Sequence, residues 1–332
     1  MQVLRKILFP VSLLYALVVY LRNYFYDKGI FSSTSFKTPT ICIGNLSAGG
    51  TGKTPMVELL VGLLKEDFKV AVLSRGYRRK SKGFVLADEN ATVKTLGDEP
   101  FQIFSKYPDI SLAVDADRRN GIRLLEKNIN PRVILLDDAY QHRKVNCDFS
   151  ILLTSYGNLY VDDWYLPTGN LRDSKKEAGR AQVIAVTKCP KDLSLKERKA
   201  IIAKLKPKSH QQVLFSYLAY NDNLQTINSS LSLVDLKSRN VTLVTGIANP
   251  KPLVDYLKTK GLKFEHLKFK DHHNFSDSEL SVLREKECIL TTEKDFVRLK
   301  HEVKDILFIP VKHQFLEEGE SLLKVRLQEF MK

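Results

Sequence analysis

Cysteine is scarce in this chain. Its 332 residues include only four cysteines, which lie far apart and form no C-x-x-C pair: Cys42, Cys147, Cys189 and Cys288. A zinc site needs closely spaced ligands, and a disulfide frame needs many cysteines in a small domain. The pattern therefore favours reduced thiols in a cytoplasmic setting, with Cys42 and Cys288 as core residues of apolar runs.

A long hydrophobic run is also missing from the N-terminal region. The uncharged stretch at residues 7–21 is shorter than the roughly 20 apolar residues of a membrane-spanning helix. The Val-Val-Tyr-Leu-Arg sequence that ends it lacks the small residues of a signal-peptide cleavage site. Cationic and aromatic residues flank the stretch: Arg5, Lys6, Arg22, Tyr24, Tyr26 and Lys28. We expect a retained membrane-associated helix, and the alternative is a buried core helix.

The overall composition is that of an ordinary globular protein, with 43% hydrophobic and 27% charged residues and no internal repeat or low-complexity tract. The length suggests two domains. A net charge of +14 indicates an acidic partner such as nucleic acid, an anionic membrane or a phosphorylated substrate. Residues 75–82 are mostly basic, which is typical of either an anion-binding segment or a solvated loop.

A glycine-rich turn lies between an apolar run and a helical pattern. Strand, glycine-rich turn and helix in this order predict a P-loop, whose backbone N–H groups surround a nucleoside triphosphate. Ser47 replaces the first glycine of the usual pattern. Lys53 is expected to reach the β- and γ-phosphates, and the Thr54 hydroxyl to bind Mg²⁺. The predicted nucleotide-binding residues are Ser47, Ala48, Gly49, Gly50, Thr51, Gly52, Lys53 and Thr54.

A second apolar run, residues 132–136, ends in Asp137 and Asp138. In P-loop proteins an acid at this place holds Mg²⁺, directly or through water. Adjacent side chains on a strand point to opposite faces, but at the strand end the backbone turns and both carboxylates become candidate ligands. The alternative is a strand that simply ends in acidic turn residues.

Two other segments carry groups suited to proton transfer. Asp98 stands at the start of a predicted helix, where a role as N-cap is the ordinary alternative. His272 and His273 follow Asp271 after a strand-like run. They are either surface residues, poorly spaced metal ligands, or partners of a catalytic carboxylate. The residues alone leave these choices open.

The guanine-reading Asn/Thr-Lys-x-Asp element of GTPases is lacking. Residues 187–190 have proline where the aspartate is needed, and residues 292–295 have the wrong spacing. GTP specificity is therefore not supported, which disfavours a nucleotide-switched GTPase or metallochaperone.

Strands and helical patterns alternate along the chain, which predicts an α/β fold. We expect a P-loop lobe with a doubly wound, mainly parallel sheet, a second, smaller α/β lobe, and the N-terminal membrane-associated helix. The predicted boundaries are 1–28 for that helix, 29–154 for the P-loop lobe, 155–305 for the second lobe, and 306–332 for a strand and helix that return to the first lobe.

The ordered set of these segments resembles the lipid A 4′-kinase (tetraacyldisaccharide 4′-kinase) family. The matching residues are Gly44-Asn45-Leu46, Gly49-Gly50-Thr51-Gly52-Lys53-Thr54-Pro55, Ser74-Arg75-Gly76-Tyr77, Gly97-Asp98-Glu99-Pro100, Asp137-Asp138 with Tyr140-Gln141-His142, Pro167 with Gly169 and Leu171-Arg172, Asp271-His272-His273 with Phe275, and Thr292-Glu293-Lys294-Asp295. Asp173 stands where the family is expected to have glutamate, and Ala139 where glycine is usual.

The resemblance implies transfer of the ATP γ-phosphate to the 4′-hydroxyl of a tetraacyl-diglucosamine 1-phosphate, with Mg²⁺, in lipid A biosynthesis at the cytoplasmic face of the bacterial inner membrane. It implies Asp98 as the proton acceptor, paired with His272, and Lys53 as a further catalytic group. Arg75, Tyr77 and Arg172 are candidates to hold the lipid's sugar or phosphate. The partners would be the acylated disaccharide and the membrane surface, with no nucleic acid.

Two alternatives compete with this function. A P-loop phosphotransferase acting on a soluble small molecule would leave the N-terminal apolar helix unexplained. A nucleic-acid-binding ATPase would suit the positive charge, but the basic residues are not interleaved with stacking aromatics and no nucleic-acid module is recognisable.

Overall fold

The computed structural model describes residues 2–227 and 229–332, so Met1 of the predicted N-terminal segment lies outside it. The strands are β1 (Thr40–Asn45), β2 (Val70–Ser74), β3 (Val85–Leu86), β4 (Ser111–Val114), β5 (Val133–Asp137), β6 (Phe149–Ser155), β7 (Val183–Thr187), β8 (Gln212–Tyr220), β9 (Asn223–Gln225), β10 (Ser230–Ser232), β11 (Val241–Thr245), β12 (Phe264–Lys268), β13 (Cys288–Thr292), β14 (Ile306–Ile309) and β15 (Val311–Phe315). The helices are α1 (Gln2–Ile7), α2 (Phe9–Asp27), α3 (Lys53–Leu64), α4 (Val93–Leu96), α5 (Asp98–Lys106), α6 (Arg118–Asn128), α7 (Leu195–Leu205), α8 (Lys251–Thr259), α9 (Asp277–Arg284), α10 (Glu293–Leu299) and α11 (Gly319–Met331).

The larger sheet has nine strands in the order β15-β8-β7-β6-β1-β5-β2-β4-β3. Strands β4, β2, β5, β1, β6, β7 and β8 are parallel, and the edge strands β3 and β15 are antiparallel to their neighbours. Apolar side chains cover both faces, as expected for a parallel sheet buried between helices. The predicted P-loop lobe with a mainly parallel sheet is confirmed, and its P-loop follows the carboxyl end of the central strand β1.

The smaller sheet has six strands in the order β10-β9-β14-β13-β11-β12. Strands β14, β13, β11 and β12 are parallel, and the short strands β9 and β10 pair antiparallel with their neighbours. The predicted boundary near residue 155 does not coincide with the start of this sheet, because β7 and β8 belong to the larger one. Both strands continue the same apolar parallel pattern as β6, so the sequence gives no sign of a change of lobe there.

The predicted C-terminal segment, which starts at residue 306, contains two strands where one was expected. Pro310 separates β14, which pairs with β13, from β15, which pairs with β8 of the larger sheet. Proline has no N–H for a strand ladder, which suits a point where the chain changes partner. The return to the larger lobe therefore begins at Val311 rather than at 306. The chain passes from the larger to the smaller lobe between Tyr220 and Asn223. This segment lies beside Pro310, since Asn221 N donates to the Pro310 carbonyl over 3.0 Å.

Helix α2 has its apolar side turned outward. Its buried residues include the polar Ser12 and Asn23, whereas Leu14 and Val18 are 66% and 64% exposed. Asn23 donates to the buried Asp173 carboxylate over 2.8 Å, and the Ser12 hydroxyl donates to Thr168 over 2.7 Å. Because much of its apolar surface is exposed, α2 is not the buried core helix that was the alternative prediction. Among the described residues, no helix has both the length and the apolar character that crossing a membrane requires.

Candidate active site

The glycine-rich turn adopts a phosphate-binding loop geometry between β1 and α3. Gly49 and Gly52 have φ values of +128° and +88°, a region that side chains with a Cβ rarely adopt. The amide of Asn45 donates to the Thr51 hydroxyl over 3.0 Å and braces the loop from inside. Lys53 begins α3, so its ammonium and the helix N-terminus face the same space.

Two buried polar side chains hold the outer part of this loop. The Thr187 hydroxyl donates to the Thr51 carbonyl over 2.8 Å. His313 on β15 donates from Nε2 to the Gly52 carbonyl over 2.8 Å, while its Nδ1 lies 3.1 Å from the Ser216 hydroxyl and accepts from it. Burial lowers the pKa of His313 to about 4, so this imidazole is neutral at physiological pH. Sequence reasoning missed His313, although it occupies an inward position of an alternating strand.

The two adjacent acids differ in environment. Asp137 is buried at the end of β5 and accepts from the Ser74 hydroxyl over 2.8 Å. Burial, followed by repulsion from Glu99 and Asp138, raises the pKa of Asp137 to about 6. Burial also acts to raise the pKa of Asp138, but Lys53 and Arg172 outweigh it and lower that pKa. Asp138 is thus stabilised as a carboxylate by two cations of the cleft, whereas burial and neighbouring acids dominate the environment of Asp137.

The Asp138 carboxylate lies between two cations. Lys53 Nζ is 3.8 Å from it, and the Arg172 guanidinium hydrogen-bonds to Asp138 and to the side-chain oxygen of Asn45. Asp137 has one buried oxygen, Oδ1, without a hydrogen-bond partner. The free oxygen of Asp137 and the Thr54 hydroxyl, which line the same cleft, are hard oxygen donors of the kind that fits Mg²⁺.

Asp98 and His272 come together from the two lobes. Asp98 is the first residue of α5, and Gly97 rather than Asp98 is the N-cap residue. His272, in a turn with φ of +57°, donates from Nδ1 to the Asp98 carboxylate over 2.7 Å. The neighbouring His273 instead contacts Glu279 at 2.9 Å. The two histidines therefore have separate partners, and only His272 faces the cleft.

Helix α10 supplies two cations to this pair. Arg298 donates from Nε to Asp98 Oδ1 over 2.8 Å and from its terminal nitrogen to Oδ2. Lys294 donates to His272 Nε2 over 2.9 Å. Burial acts to raise the pKa of Asp98, but the hydrogen bonds from His272 and Arg298 hold it well below its usual range. Sequence reasoning missed Arg298 because an arginine within an amphipathic helix has no motif of its own.

The basic segment borders the same place. Arg75 and Tyr77 line the cleft, and the Tyr77 ring meets the His272 ring edge to face at 5.7 Å. Arg78 donates to the His272 carbonyl over 3.0 Å. Part of this segment therefore contacts the second lobe, because Tyr77 and Arg78 both contact His272.

One cleft of about 1190 Å³ connects these groups. Its walls come from both lobes and include the P-loop, the acid pair and the Asp98–His272 pair. Its lining also includes Tyr15 and Arg22 of α2, together with Arg172. The cleft thus runs from the phosphate-binding loop to the helix whose outer side is apolar, and it is large enough for a nucleotide and a second substrate.

Comparison with known proteins decides the family. The model of the tetraacyldisaccharide-1-phosphate 4′-kinase family matches residues 4–329. The chain belongs to this family. A tetraacyldisaccharide 4′-kinase of Flavobacterium johnsoniae is 51% identical over 327 residues, covering 97% of this chain and 96% of the relative. One of Phocaeicola vulgatus is 40% identical over 350 residues, covering 99% and 96%.

A solved structure agrees in fold over the whole length. The crystal structure of LpxK from Aquifex aeolicus, described as a complex with ATP, is similar with a TM-score of 0.81 and 31% identity. The match covers 99% of this chain and 100% of the Aquifex chain. The family resemblance inferred from the ordered motifs is therefore confirmed, and so is the fold with two α/β lobes.

Proposed function

We propose that this protein transfers the γ-phosphate of ATP to the 4′-hydroxyl of a tetraacyldisaccharide 1-phosphate, giving the bisphosphorylated lipid A precursor. The observation that carries the proposal is the meeting of a P-loop, an acid pair and the Asp98–His272 pair in one cleft. Family membership supplies the acceptor, and the ATP complex of the Aquifex relative supports the donor.

Phosphoryl transfer depends mainly on positioning and on charge stabilisation. The N–H groups of residues 47–54 and the Lys53 ammonium bind the β- and γ-phosphates. Thr54, Asp137 and Asp138 would hold Mg²⁺, and the bound ion would supply positive charge against the phosphates. Lys53 is then shared between the triphosphate and Asp138, from which it lies 3.8 Å away.

The acceptor hydroxyl must lose its proton as it attacks. The 4′-oxygen forms a bond to the γ-phosphorus, the bond from that phosphorus to the bridging oxygen breaks, and ADP leaves. Asp98 accepts the hydroxyl proton, and His272 orients its carboxylate. Because these groups come from different lobes, the site is complete only when the lobes are together, which keeps water away from the triphosphate.

The lipid enters from the side of α2. The exposed leucines of α2, Leu13, Leu14 and Leu17, face a membrane surface or acyl chains. The net charge of +14 favours binding to an anionic leaflet. Arg172, Arg75 and Tyr77 line the same cleft as the P-loop, and we assign them to binding the sugar or its phosphate. The protein would then work as a peripheral enzyme on the cytoplasmic face of the inner membrane.

The experiment is label transfer from γ-labelled ATP to a tetraacylated diglucosamine 1-phosphate in detergent with Mg²⁺. We expect labelled lipid from the wild type and none from Lys53→Ala. Glucosamine 1-phosphate in the same assay tests a soluble acceptor. Label in the soluble acceptor only, or in neither with ATP bound normally, would refute the proposed acceptor.

Membrane association has its own test by flotation with anionic phospholipid vesicles. Leu14→Glu on α2 should reduce the floated fraction. Leu322→Glu, at an exposed leucine of α11, is the matched control and should float like the wild type. Equal flotation of both variants would contradict the assignment of α2 as the membrane surface.

A further inference from the structure

Arg298 ties the two lobes together at the site of proton transfer. Its guanidinium makes two hydrogen bonds to Asp98, on α5 of the larger lobe, and a third, over 2.8 Å, to the His273 carbonyl of the smaller lobe. The side chains of Arg298 and Asp98 are only 9% and 7% exposed. A buried carboxylate requires a partner of this kind, because an unpaired charge in such a place costs several kcal/mol.

Resting on the function proposed above, we infer that Arg298 is a positioning residue that holds the Asp98 carboxylate against His272 and assembles this pair when the lobes meet. Two parallel hydrogen bonds from a planar guanidinium set the plane of the carboxylate. The bond to the His273 carbonyl places the turn that carries His272. One side chain therefore orients both members of the pair.

Lys294 contributes from the same helix, one turn earlier. Its ammonium donates to His272 Nε2 over 2.9 Å and to Asp271 over 2.8 Å. With Nε2 accepting, the proton of the neutral ring is on Nδ1, which is the nitrogen that faces Asp98. Arg298 and Lys294 thus act on opposite ends of the pair, and Arg298 is the one that contacts the carboxylate.

The charges around Asp98 predict how the rate depends on pH. Arg298 and His272 contact Asp98, and Lys294, itself paired with Asp271, contacts His272. Glu99 follows Asp98 in α5, and Lys106 lies farther along the same helix. Asp98 has a pKa well below its usual range because the bonds from His272 and Arg298 outweigh its burial. Burial acts to raise the pKa of Asp98, and removing Arg298 takes away one of the two groups that oppose this effect. The Asp98 carboxylate of the variant should therefore take up a proton at a higher pH.

The test compares wild type, Arg298→Met and Arg298→Lys in lipid phosphorylation from pH 5 to 9. We expect kcat to fall about 10- to 100-fold in Arg298→Met, the usual effect of removing an orienting partner, with the KM for ATP unchanged. The acidic limb of its pH profile should move to higher pH. Arg298→Lys keeps the charge and should recover part of the rate. Arg284→Met, at an exposed arginine paired with Glu302, is the matched control.

A wild-type rate and pH profile in Arg298→Met would overturn the inference, and so would a Lys variant no better than Met. Hydrogen exchange provides a readout that needs no lipid. Arg298→Met should speed exchange in residues 270–276 and 97–101 but not in the P-loop, and an added Asp98→Asn should have little further effect. Unchanged exchange of these two segments in Arg298→Met would overturn the inference, whatever the acceptor substrate is. If exchange changes as expected but the wild type transfers no label to the lipid, the result counts against the proposed function and not against this inference.

Discussion

His313 should make the stability of this protein depend on pH in a way that one substitution removes. The imidazole is buried beneath the P-loop, with Gly52 and Ser216 as its partners. Its pKa is lowered by burial to about 4 in the folded protein, against about 6.5 in an unfolded chain. The unfolded state therefore binds the proton more readily, and stability falls as the pH drops below about 6.5.

The magnitude follows from proton linkage. Each unit of pKa difference corresponds to about 1.4 kcal/mol. With these two pKa values, the loss between pH 7 and pH 5 is about 2 kcal/mol, and the full loss, reached only below the folded-state pKa of about 4, is about 3 kcal/mol. His142 also has a pKa lowered to about 4, chiefly by burial, so it adds to the wild-type dependence with the same sign.

The assay is urea unfolding followed by circular dichroism at pH 7, 6 and 5. His313→Gln keeps a hydrogen-bond donor but does not titrate. Its stability at pH 7 should be lower, yet its loss between pH 7 and pH 5 should be smaller than that of the wild type by about 2 kcal/mol. His210→Gln, at an exposed histidine, is the control and should follow the wild type. Equal pH dependence in wild type and His313→Gln would refute the reasoning.

Three further predictions concern the site and its supports. Asp98→Ala should lower the turnover of lipid phosphorylation about 10²- to 10⁴-fold, as expected for a general base, while calorimetry shows ATP binding intact; retained turnover would remove Asp98 from the mechanism. Gly52→Ala should weaken ATP binding at least about tenfold, because φ is +88° and a Cβ would lie 2.8 Å from His313 Nε2. The control Gly83→Ala, at φ of +66° with open space around it, should bind ATP normally. Equal ATP binding by both variants would contradict this prediction. Asn23→Ala removes one hydrogen-bond donor to the buried Asp173, which should cost about 1–3 kcal/mol of stability. Limited proteolysis should therefore cleave residues 1–28 faster than in the wild type. An unchanged cleavage rate would show that other contacts hold α2.

The sequence allowed those parts of the site to be predicted whose signal is local. Gly49, Gly52 and Lys53 form a short pattern whose backbone conformation follows from the residues themselves. Asp137 ends an apolar strand, so its place at the carboxyl edge of the sheet was also predictable. The separate environments of Asp137 and Asp138 were not, because they depend on Ser74 and Arg172, which are distant in the chain.

The contacts between lobes could not be predicted from local patterns. Arg298 meets Asp98 across 200 residues of sequence, and nothing in α10 distinguishes it from a solvated arginine. The boundary near residue 155 was misplaced because β6, β7 and β8 are consecutive apolar strands of one sheet. Pro310 did carry a signal, since proline is rare inside a strand, and it marks where the chain leaves one sheet for the other.

The pairing of β8 with β15 has a consequence for the architecture of the gene product. These strands run antiparallel, with Tyr220 opposite Val311, so the smaller lobe occupies the place of the turn in a β-hairpin. It is an insertion whose two ends meet. Replacing residues 221–310 with an Asn-Gly turn should close the hairpin directly. The product would keep His313 and the whole P-loop but lose every partner of Asp98, which makes it a nucleotide-binding module without the means to assemble the phosphotransfer site.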